Sequence, residues 1–387
     1  MDFDIAIIGA GLVGASLAAS MQGTGLRTVL LDPETAKPLS TAGWDSRIYA
    51  VSPGSQAFLA ACGAWQRIDP MRIARVEAMQ IYGDGAGAEL RFSAYQAGLA
   101  QLCFIVESRA IHDALHEAIA QRADVTARYG AQATGFAVGD SSALLELADG
   151  TRIESKLIVG ADGAQSWVRE NAGIEAKTRA YGQQGVVANF DTEHPHRNVA
   201  RQWFRRDGVI ALLPLPGNRV SMVWSTRNDA AQRLLGMDAA DFVGEVESAC
   251  DNALGSMRLL SSRNGFPLRL LRVSKWVRPR LALIGDAAHN VHPLAGQGVN
   301  LGFQDARELA SVLRDRGAQD DCGDYRLLRR YARARREPVA LMQATTDSLQ
   351  RLFITPSFGL RWLRNTGLRL TNGVVPLKTL LVEHALG

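Results

Sequence analysis

The stretch DIAIIGAGLVG, residues 4–14, decides the fold, and TVLLD at residues 28–32 completes its pattern. Residues 4–8 form a near-continuous apolar run that is typical of a buried parallel strand. Small residues then continue to Ser20, which predicts a helix that returns the chain to a second apolar strand. The order of strand, glycine triplet, helix and strand predicts a βαβ unit that binds a dinucleotide.

Each glycine of this unit has a predicted role. Gly9 permits the tight turn, Gly11 lets the backbone approach a pyrophosphate, and Gly14 lets the helix pack closely on the strand. The start of the helix offers free N–H groups to phosphate. Asp32 ends the second strand, where a carboxylate would bind ribose hydroxyls. A glycine triplet alone is often only a loop, but the complete context favours a nucleotide site.

Length and composition indicate a globular protein with two structural units. The 387 residues exceed the usual size of a single hydrophobic core, and the 47% apolar and 21% charged residues are ordinary for a soluble fold. Residues 325–387 carry eleven Lys/Arg against three Asp/Glu (+8), whereas residues 1–324 carry 32 against 36 (−4). This distribution argues against a nucleic-acid surface over the whole domain and for one local basic face.

The sequence predicts a cytoplasmic protein, with a peripheral position on the inner face of the cytoplasmic membrane as an alternative. Cys62, Cys103, Cys250 and Cys322 form no CxxC pair, which favours unpaired thiols in a reducing compartment. No targeting segment precedes the first strand, and no apolar stretch reaches the ~18 residues of a transmembrane helix.

Two further apolar strands end in acidic motifs. LIVGADG at residues 157–163 places Asp162 at the carboxyl end of a strand, where open α/β sheets bind ligands, although an ordinary Asp-Gly turn is the competing interpretation. LALIGDAAH at residues 281–289 presents Asp286 in the same way. PLAGQGVN, residues 293–300, then opens a helix whose free N–H groups would stabilise negative charge.

The chain changes character between these motifs. Residues 181–280 contain β-rich runs separated by turn signals, which predict an antiparallel sheet inserted into the α/β unit, where we expect substrate contacts. The expected regions are residues 1–180 as the first part of the nucleotide-binding domain with smaller β excursions, 181–280 as the mainly antiparallel substrate domain, 281–324 as the second part of the nucleotide-binding domain, and 325–387 as a basic helical region.

Two histidine pairs have spacings that occur in metal sites. His112 and His116 stand at i,i+4 on a predicted helix, and His289 and His292 stand at i,i+3. Neither pair has the carboxylate or thiol partners of a known ligand pattern, so we predict no metal site. We expect the first pair to be solvated helix surface. His289 is a candidate acid or base, but loop structure is the preferred interpretation, and no catalytic residue is assigned.

The motifs together resemble one enzyme class. GAGLVG with Asp32, GADG with Arg169, and GDAAH followed by PLAGQGVNLG resemble the class A flavoprotein aromatic hydroxylases, which have the p-hydroxybenzoate hydroxylase fold. FRRDGVIALLPLPGNRVSMVWST at residues 204–226 and the LQRLFI and LRNTGLRL segments of the tail are similar to the hydroxylases of ubiquinone biosynthesis. The resemblance implies an α/β fold with a Rossmann-like FAD-binding domain, an inserted antiparallel β-sheet substrate domain and a C-terminal helical region.

The resemblance also implies which residues bind the cofactor. The glycines would hold the FAD pyrophosphate, and Asp32 would hold the adenosine ribose, unless Glu34 does so, because the family more often has Glu at that point. Arg47 and Arg109 would reach the flavin nucleotide. The implied cofactor-binding residues are Gly9, Gly11, Gly14, Asp32, Arg47, Arg109, Asp162, Asp286, Pro293, Gly296, Gln297, Gly298, Val299 and Asn300.

The reaction that the resemblance implies is aromatic hydroxylation. Reduced flavin captures O₂ as a C4a-hydroperoxide, and a polyprenylated phenol, a lipophilic quinone precursor, receives one oxygen atom. NAD(P)H or another electron donor would bind transiently, since the sequence has no second G-x-G-x-x-G. The alternatives are a hydroxylase of a small soluble phenol or aromatic acid, a flavin-dependent reductase or dehydrogenase, and an FAD-binding non-catalytic subunit of a quinone-synthesis complex.

The tail carries the prediction about partners. A run of arginines crowds into residues 326–336, namely Arg326, Arg329, Arg330, Arg333, Arg335 and Arg336. A solvated basic helix is the simpler interpretation of this run. Because a polyprenylated phenol partitions into lipid, a basic surface also suits an anionic membrane or other ubiquinone-biosynthesis proteins. Nucleic acid is not a predicted partner.

Overall fold

The computed structural model describes residues 2–35, 43–83, 89–205, 207–291, 297–317 and 320–354. The helices are α1 (Leu12–Ser20), α2 (Pro53–Ala61), α3 (Ser108–Ala120), α4 (Trp167–Asn171), α5 (Asn228–Gly236), α6 (Ala239–Ala249), α7 (Gly298–Arg314) and α8 (Tyr325–Ile354). The first strands are β1 (Ile5–Ile8), β2 (Thr28–Asp32), β3 (Ile48–Val51), β4 (Ile73–Val76), β5 (Ala78–Tyr82), β6 (Glu89–Ser93), β7 (Cys103–Glu107), β8 (Val125–Tyr129), β9 (Ala133–Val138), β10 (Ala143–Leu147), β11 (Arg152–Ser155) and β12 (Leu157–Gly160). The later strands are β13 (Ala176–Thr192), β14 (Val199–Arg205), β15 (Gly208–Leu215), β16 (Arg219–Arg227), β17 (Met257–Leu259), β18 (Asn264–Val273), β19 (Val277–Arg278), β20 (Leu281–Leu283) and β21 (His289–Asn290).

A parallel sheet carries the three sequence motifs. Its strand order is β19-β20-β12-β1-β2-β8, and all neighbours are parallel except the β19–β20 pair. β1 lies inside this sheet and is buried along its whole length, as its unbroken apolar sequence predicted. Full burial of side chains such as Ile5 and Ile7 stabilises the sheet by roughly 1.5–3 kcal/mol each.

Helices α1 and α7 pack closely on one another beside this sheet. A Cβ added at Gly302 of α7 would lie 2.4 Å from Val13 Cγ2 of α1, so only glycine allows the helices to approach this closely. The buried apolar residues of α7 include Leu301, Phe303, Ala306, Leu309, Ala310 and Leu313. The contact fixes the start of α7 next to the glycine-rich loop.

A large, mainly antiparallel sheet is inserted between β12 and β20. Its order is β21-β18-β13-β16-β15-β14-β5-β6, with β17 also paired to β13. One face packs on α5 and α6 through a buried cluster that includes Val186, Trp224 and Phe242. The predicted α/β fold with an inserted antiparallel sheet is therefore confirmed. The sheet also takes in β5 and β6, which precede the insertion in sequence.

Helix α8 packs on the parallel-sheet side of the molecule. Leu328 and Tyr331 are buried, and the Tyr331 hydroxyl donates a 2.9 Å hydrogen bond to Leu283 O at the end of β20. Five of the six arginines within residues 326–336 are exposed, namely Arg326, Arg329, Arg330, Arg333 and Arg336. The prediction of a solvated run is wrong for Arg335, which is 6% exposed. None of the described helices is long and apolar enough to cross a membrane.

Candidate cofactor and substrate site

The three motifs meet at one edge of the parallel sheet. β20, β12 and β1 are parallel neighbours, so the loops that follow them share the carboxyl edge. Backbone hydrogen bonds continue the pairing into the loops: Ala161 N donates to Ile8 O, and Ile284 N donates to Gly160 O. The glycine-rich loop, the GADG loop and the loop at Gly285–Ala287 therefore form one contiguous surface.

The glycines of the first loop meet different demands. Gly9 has φ +104°, and a Cβ there would lie 2.5 Å from Ala161 O. A Cβ at Gly14 would lie 1.9 Å from Gly9 O. A Cβ at Gly11 would meet no protein atom within 4 Å. Gly9 and Gly14 are thus required by the protein's own packing, while Gly11 borders the space that a ligand would use.

Asp32 lies beside the glycine-rich loop and bonds to it. Its Oδ2 accepts a 2.7 Å hydrogen bond from Ala10 N, and its Oδ1 accepts a 2.8 Å bond from Glu34 N. A carboxylate has about four acceptor positions, so Asp32 retains capacity for ribose hydroxyls. Glu34 is exposed next to it. Both residues stay candidates for the ribose contact.

The GADG loop carries a buried acceptor that lacks a partner. Asp162 Oδ2 accepts a 2.9 Å bond from Val168 N at the start of α4, while Asp162 Oδ1 is buried and has no hydrogen-bond partner within the described residues. Burial raises the pKa of this carboxyl. An unpaired buried oxygen of this kind is costly, and a ligand hydroxyl or amide would satisfy it.

Arg169 joins the second and third motifs. It is buried, and its guanidinium donates to Ala287 O (3.1 Å) and to Ala164 O (3.0 Å). Both acceptors are backbone carbonyls of loops at the sheet edge. Arg169 therefore fixes the distance between the loops rather than offering its charge to a ligand.

Asp286 and Arg47 lie close enough to interact electrostatically. The Asp286 side chain is accessible to solvent, yet the protein encloses it deeply enough that lost solvation raises the pKa of its carboxyl. Interactions with His289, Asn290 and Arg47 lower the pKa of this carboxyl and so act in the opposite direction. The exposed Arg47 side chain thus lies near enough to Asp286 to influence its charge, which the distance of 239 residues along the chain did not indicate.

Asp45 aligns the two arginines that the sequence singled out. Its Oδ1 accepts a bond from Arg47 N (2.9 Å), and its Oδ2 accepts one from Arg109 N (3.3 Å). Strands β3 and β7 pair directly beyond these residues, with Ile48 opposite Glu107. Sequence reasoning did not assign a role to Asp45, although an Asp side chain commonly accepts a hydrogen bond from the backbone N–H two residues further on, which forms an Asx turn.

The start of α7 is fixed to the strand that follows Arg47. Asn300 is 1% exposed, its Oδ1 accepts from Ser52 N (2.9 Å), and its Nδ2 donates to Ala50 O (2.8 Å). Val299 is also buried, whereas Gln297 is partly exposed and a Cβ at Gly298 would meet no atom within 4 Å. The predicted contacts Pro293 and Gly296 lie outside the described residues.

A buried ionic network stabilises the loop that carries Asp286. His289 Nε2 donates to Asp305 Oδ2 (2.6 Å), which also accepts from Gly285 N (2.9 Å), and Arg335 Nε donates to Asp305 Oδ1 (2.8 Å). His289 is 3% exposed and its ring stacks on Trp276. The structure places His289 in the short strand β21 rather than in a loop, and the network ties α8 to the candidate site.

His116 differs from the prediction of solvated helix surface, whereas the His112 side chain is 44% exposed. His116 is half-buried, its Nε2 donates to Ala10 O (3.1 Å), and its Nδ1 contacts the Tyr129 hydroxyl. Burial, together with the neighbouring His112, lowers the pKa of His116. The prediction is wrong for His116 because the fold brings α3 against the glycine-rich loop, which a helical spacing alone does not reveal.

One face of the antiparallel sheet turns toward this site. Asn189 Nδ2 donates to Asp45 O (2.8 Å), and Asn264 Nδ2 donates to Ser46 Oγ (2.8 Å). Phe266, two residues along β18, shares that face and stands opposite Gly185 in the ladder. Phe266 is 37% exposed, which is high for a phenylalanine in a sheet. The face offers polar anchors and one accessible aromatic ring.

The arrangement fits FAD on two observations. Open space adjoins Gly11 at the start of α1, and Asp162 Oδ1 lacks a partner among the described residues. The first N–H groups of a helix have no acceptor within the helix, so α1 offers donors to a pyrophosphate. Asp162 offers an acceptor on the neighbouring loop. These are the two kinds of contact that a flavin dinucleotide would use along the sheet edge.

Comparison with known proteins gives a consistent result. The model of the FAD binding domain family matches residues 2–346. The chain is 35% identical to the ubiquinone hydroxylase UbiL of Rhodospirillum rubrum, over 99% of this chain and 89% of the relative. It is 33% identical to the 3-demethoxyubiquinol 3-hydroxylase of Escherichia coli, over 99% of this chain and 98% of the relative.

The fold also matches a solved structure. The crystal structure of a single-residue variant of HpxO from Klebsiella pneumoniae, complexed with FAD, superposes with a TM-score of 0.78 at 18% identity. The alignment covers 100% of this chain and 99% of that protein. At this level of identity the likeness concerns the fold, and it extends over the whole length of the chain.

Proposed function

The chain belongs to the FAD binding domain family, and from this premise we propose that it is an FAD-dependent monooxygenase that hydroxylates the ring of a polyprenylated phenol in ubiquinone biosynthesis. The observation that carries the proposal is that its similarity to named ubiquinone hydroxylases spans almost the whole chain. Family membership agrees with the class A hydroxylase resemblance of the sequence motifs.

The described residues would hold FAD along the sheet edge. The α1 start next to Gly11 would receive the pyrophosphate, Asp32 or Glu34 the adenosine ribose, and Asp162 a hydroxyl or amide of the cofactor. Arg47 and Asp286 would contact the flavin nucleotide. When bound, FAD supplies the activation of dioxygen, a chemistry that amino-acid side chains lack.

The protein's own task is to orient the substrate and exclude water. The sheet face that carries Asn189, Asn264 and Phe266 would place the phenol ring toward the start of α7. Correct orientation of two reactants can contribute several kcal/mol to a rate, and exclusion of water limits side reactions. These tasks need no protein nucleophile, and we assign no catalytic acid or base.

We further propose that the electron donor is NAD(P)H or another external reductant and that O₂ is the co-substrate. The support for a transiently bound donor is the sequence, which has one G-x-G-x-x-G and no second one. The candidate site is open to solvent at Asp286, so a reductant could approach it from outside.

The exposed arginine face of α8 would bring the enzyme to its lipophilic substrate. We define this face by Arg326, Arg329, Arg330, Arg333 and Arg336, all of which are exposed to solvent. Each arginine near an anionic membrane contributes roughly 1 kcal/mol to binding. We propose that this face holds the protein on the inner surface of the cytoplasmic membrane, and other ubiquinone-biosynthesis proteins are the alternative partners.

The test of the hydroxylase proposal uses ¹⁸O₂. Purified FAD-loaded protein, NADPH or a chemical reductant, and a short-chain polyprenylated phenol should yield a product that carries one ¹⁸O atom by mass spectrometry. A small phenol without the chain should react more slowly. Reductant consumption that yields only H₂O₂ with every phenol would contradict the proposal and favour a reductase, and complete inactivity of an FAD-loaded protein would favour a non-catalytic subunit.

A further inference from the structure

Two side chains near the glycine-rich loop, His116 of α3 and Tyr129 of β8, have no role in the cofactor contacts proposed above. His116 Nε2 lies 3.1 Å from Ala10 O, the carbonyl between Gly9 and Gly11. A carbonyl oxygen only accepts, so Nε2 carries the proton and donates it. The other ring nitrogen of the neutral imidazole, Nδ1, then accepts from the Tyr129 hydroxyl that it contacts.

The surroundings favour this arrangement of protons. Burial and the nearby His112 lower the pKa of His116, so its imidazole is neutral at pH 7. Burial, reinforced by the charge of Asp32, raises the pKa of Tyr129, so its hydroxyl keeps its proton. Tyr129 itself stands opposite Asp32 in the parallel β2–β8 pair, which places the tyrosine beside the loop.

Ala10 is consequently held on both sides. Its N–H donates to Asp32 Oδ2 (2.7 Å), and its C=O accepts from His116. These groups belong to consecutive peptide units, Gly9–Ala10 and Ala10–Gly11, so side chains from outside the loop fix the orientation of both. The flanking glycines would do little to resist rotation of those units, because glycine restricts the backbone least.

The orientation of the second unit sets the direction of a key donor. The described peptide bonds are trans. In a planar trans peptide the C=O and the following N–H point in opposite directions. Because Ala10 O points to His116, Gly11 N–H points away from α3, and the space at Gly11 is open.

We propose that His116, supported by Tyr129, is a positioning residue that directs Gly11 N–H toward the pyrophosphate of the bound dinucleotide. The identity of that ligand rests on the proposed function, whereas the contacts of His116 do not. The residue acts through the loop backbone and does not take part in the oxygen chemistry.

The experiment measures binding of FAD and of ADP to the apoprotein by calorimetry. ADP is the probe for the pyrophosphate half, because it lacks the flavin. His116→Leu removes both hydrogen bonds and should weaken FAD and ADP binding by the same factor, about three- to tenfold. His116→Gln retains an N–H donor near the position of Nε2 and should restore most of the affinity.

The matched control is His112→Leu. This histidine lies on the same helix and its ring centroid is 4.0 Å from that of His116, but its own Nδ1 is directed to Asp113 (3.5 Å). Its replacement should leave both affinities within about twofold of wild type, since it removes no bond to the loop.

Several outcomes would overturn the proposal. They are unchanged FAD and ADP affinity in a folded His116→Leu protein, a loss for FAD without a loss for ADP, and a loss in His116→Gln as large as in His116→Leu. If His116→Leu does not fold, Tyr129→Phe removes only the supporting hydroxyl and should weaken both ligands about two- to threefold, and no weakening would count against the proposal. Failure of wild-type apoprotein to bind FAD would instead refute the cofactor assignment.

Discussion

Gly11 and Gly14 are three residues apart and meet opposite physical demands. We expect Gly11→Val to fold normally, since its Cβ enters open space, and to bind FAD at least about 100-fold more weakly, because the side chain would occupy the place of the pyrophosphate. Gly14→Ala should instead destabilise the apoprotein, as its Cβ would lie 1.9 Å from Gly9 O. Thermal unfolding and FAD titration of both variants give the comparison. Normal FAD affinity in Gly11→Val would contradict the nucleotide site.

We expect Asp162 to destabilise the apoprotein and to strengthen cofactor binding. The folded state raises the pKa of Asp162 above 3.8, so the ionised carboxylate destabilises the apoprotein. This destabilisation appears as the pH rises from 3.8 through the pKa of the folded state. Asp162→Asn keeps an acceptor for Val168 N and should stabilise the apoprotein at pH 7 by roughly 1 kcal/mol. The gain should vanish below about pH 4, where the wild-type carboxyl is protonated too.

The measurement for Asp162 is denaturant unfolding of both apoproteins across this pH range. FAD affinity should fall in Asp162→Asn, since an amide oxygen is a weaker acceptor than a carboxylate. Two results would contradict this explanation: a lower free energy of unfolding for Asp162→Asn than for wild type at pH 7, or a stabilisation of the same size at every pH. Either would show that the buried charge of Asp162 does not destabilise the apoprotein.

At the scale of elements, α8 is joined to the site through Arg335. Burial alone would raise the pKa of Asp305, but His289 and Arg335 outweigh it and hold the pKa below the ordinary value of 3.8. Removing one partner from a buried ionic network costs about 3–5 kcal/mol, so Arg335→Met should lower the free energy of unfolding by about that amount. The control is Arg336→Met, an exposed neighbour, for which we expect a change within about 0.5 kcal/mol.

The pH dependence distinguishes this network from simple packing. An acid with a lowered folded pKa contributes stability that is present above its unfolded pKa and lost as the pH falls through its folded pKa. The difference between wild type and Arg335→Met should therefore shrink below about pH 4. A difference of unchanged size at acidic pH would mean that Arg335 acts through its aliphatic stem alone.

At the scale of the whole molecule, the exposed arginine face should determine membrane contact. Replacing Arg326, Arg330, Arg333 and Arg336 by Gln should reduce co-sedimentation with anionic liposomes at least about tenfold, since each charge contributes roughly 1 kcal/mol. The wild-type protein should also dissociate at high salt. Arg335 stays unchanged in this variant because it is buried.

A charge-matched control separates location from net charge. Arg75, Arg128, Arg152 and Arg227 are exposed outside α8, and their replacement by Gln removes the same total charge. Equal loss of liposome binding in both variants would show that net charge, rather than the α8 face, attracts the protein. Truncation after Glu337 is a poorer test, because Gln343 donates to Leu271 O and Asn290 O at the site.

The sequence by itself determined the parallel strands, the glycine-rich turn, the inserted antiparallel sheet and the class of cofactor. Each of these follows from a pattern over a few residues: an apolar run such as 5–8, a glycine spacing, or turns between short strands. Such patterns depend on the local geometry of the backbone. They therefore predict structure without any knowledge of tertiary contacts.

Only the tertiary structure decided which distant side chains meet. His116 reaches Ala10 across 106 residues, and Arg335 reaches Asp305 beneath the loop of His289, yet each of these polar residues is ordinary in its own segment. β5 and β6 likewise join a sheet whose other strands begin after residue 175. Helical or strand periodicity predicts which face of an element a side chain occupies. Its partner on that face depends on how whole elements pack, and this packing is decided by the burial of side chains throughout the molecule.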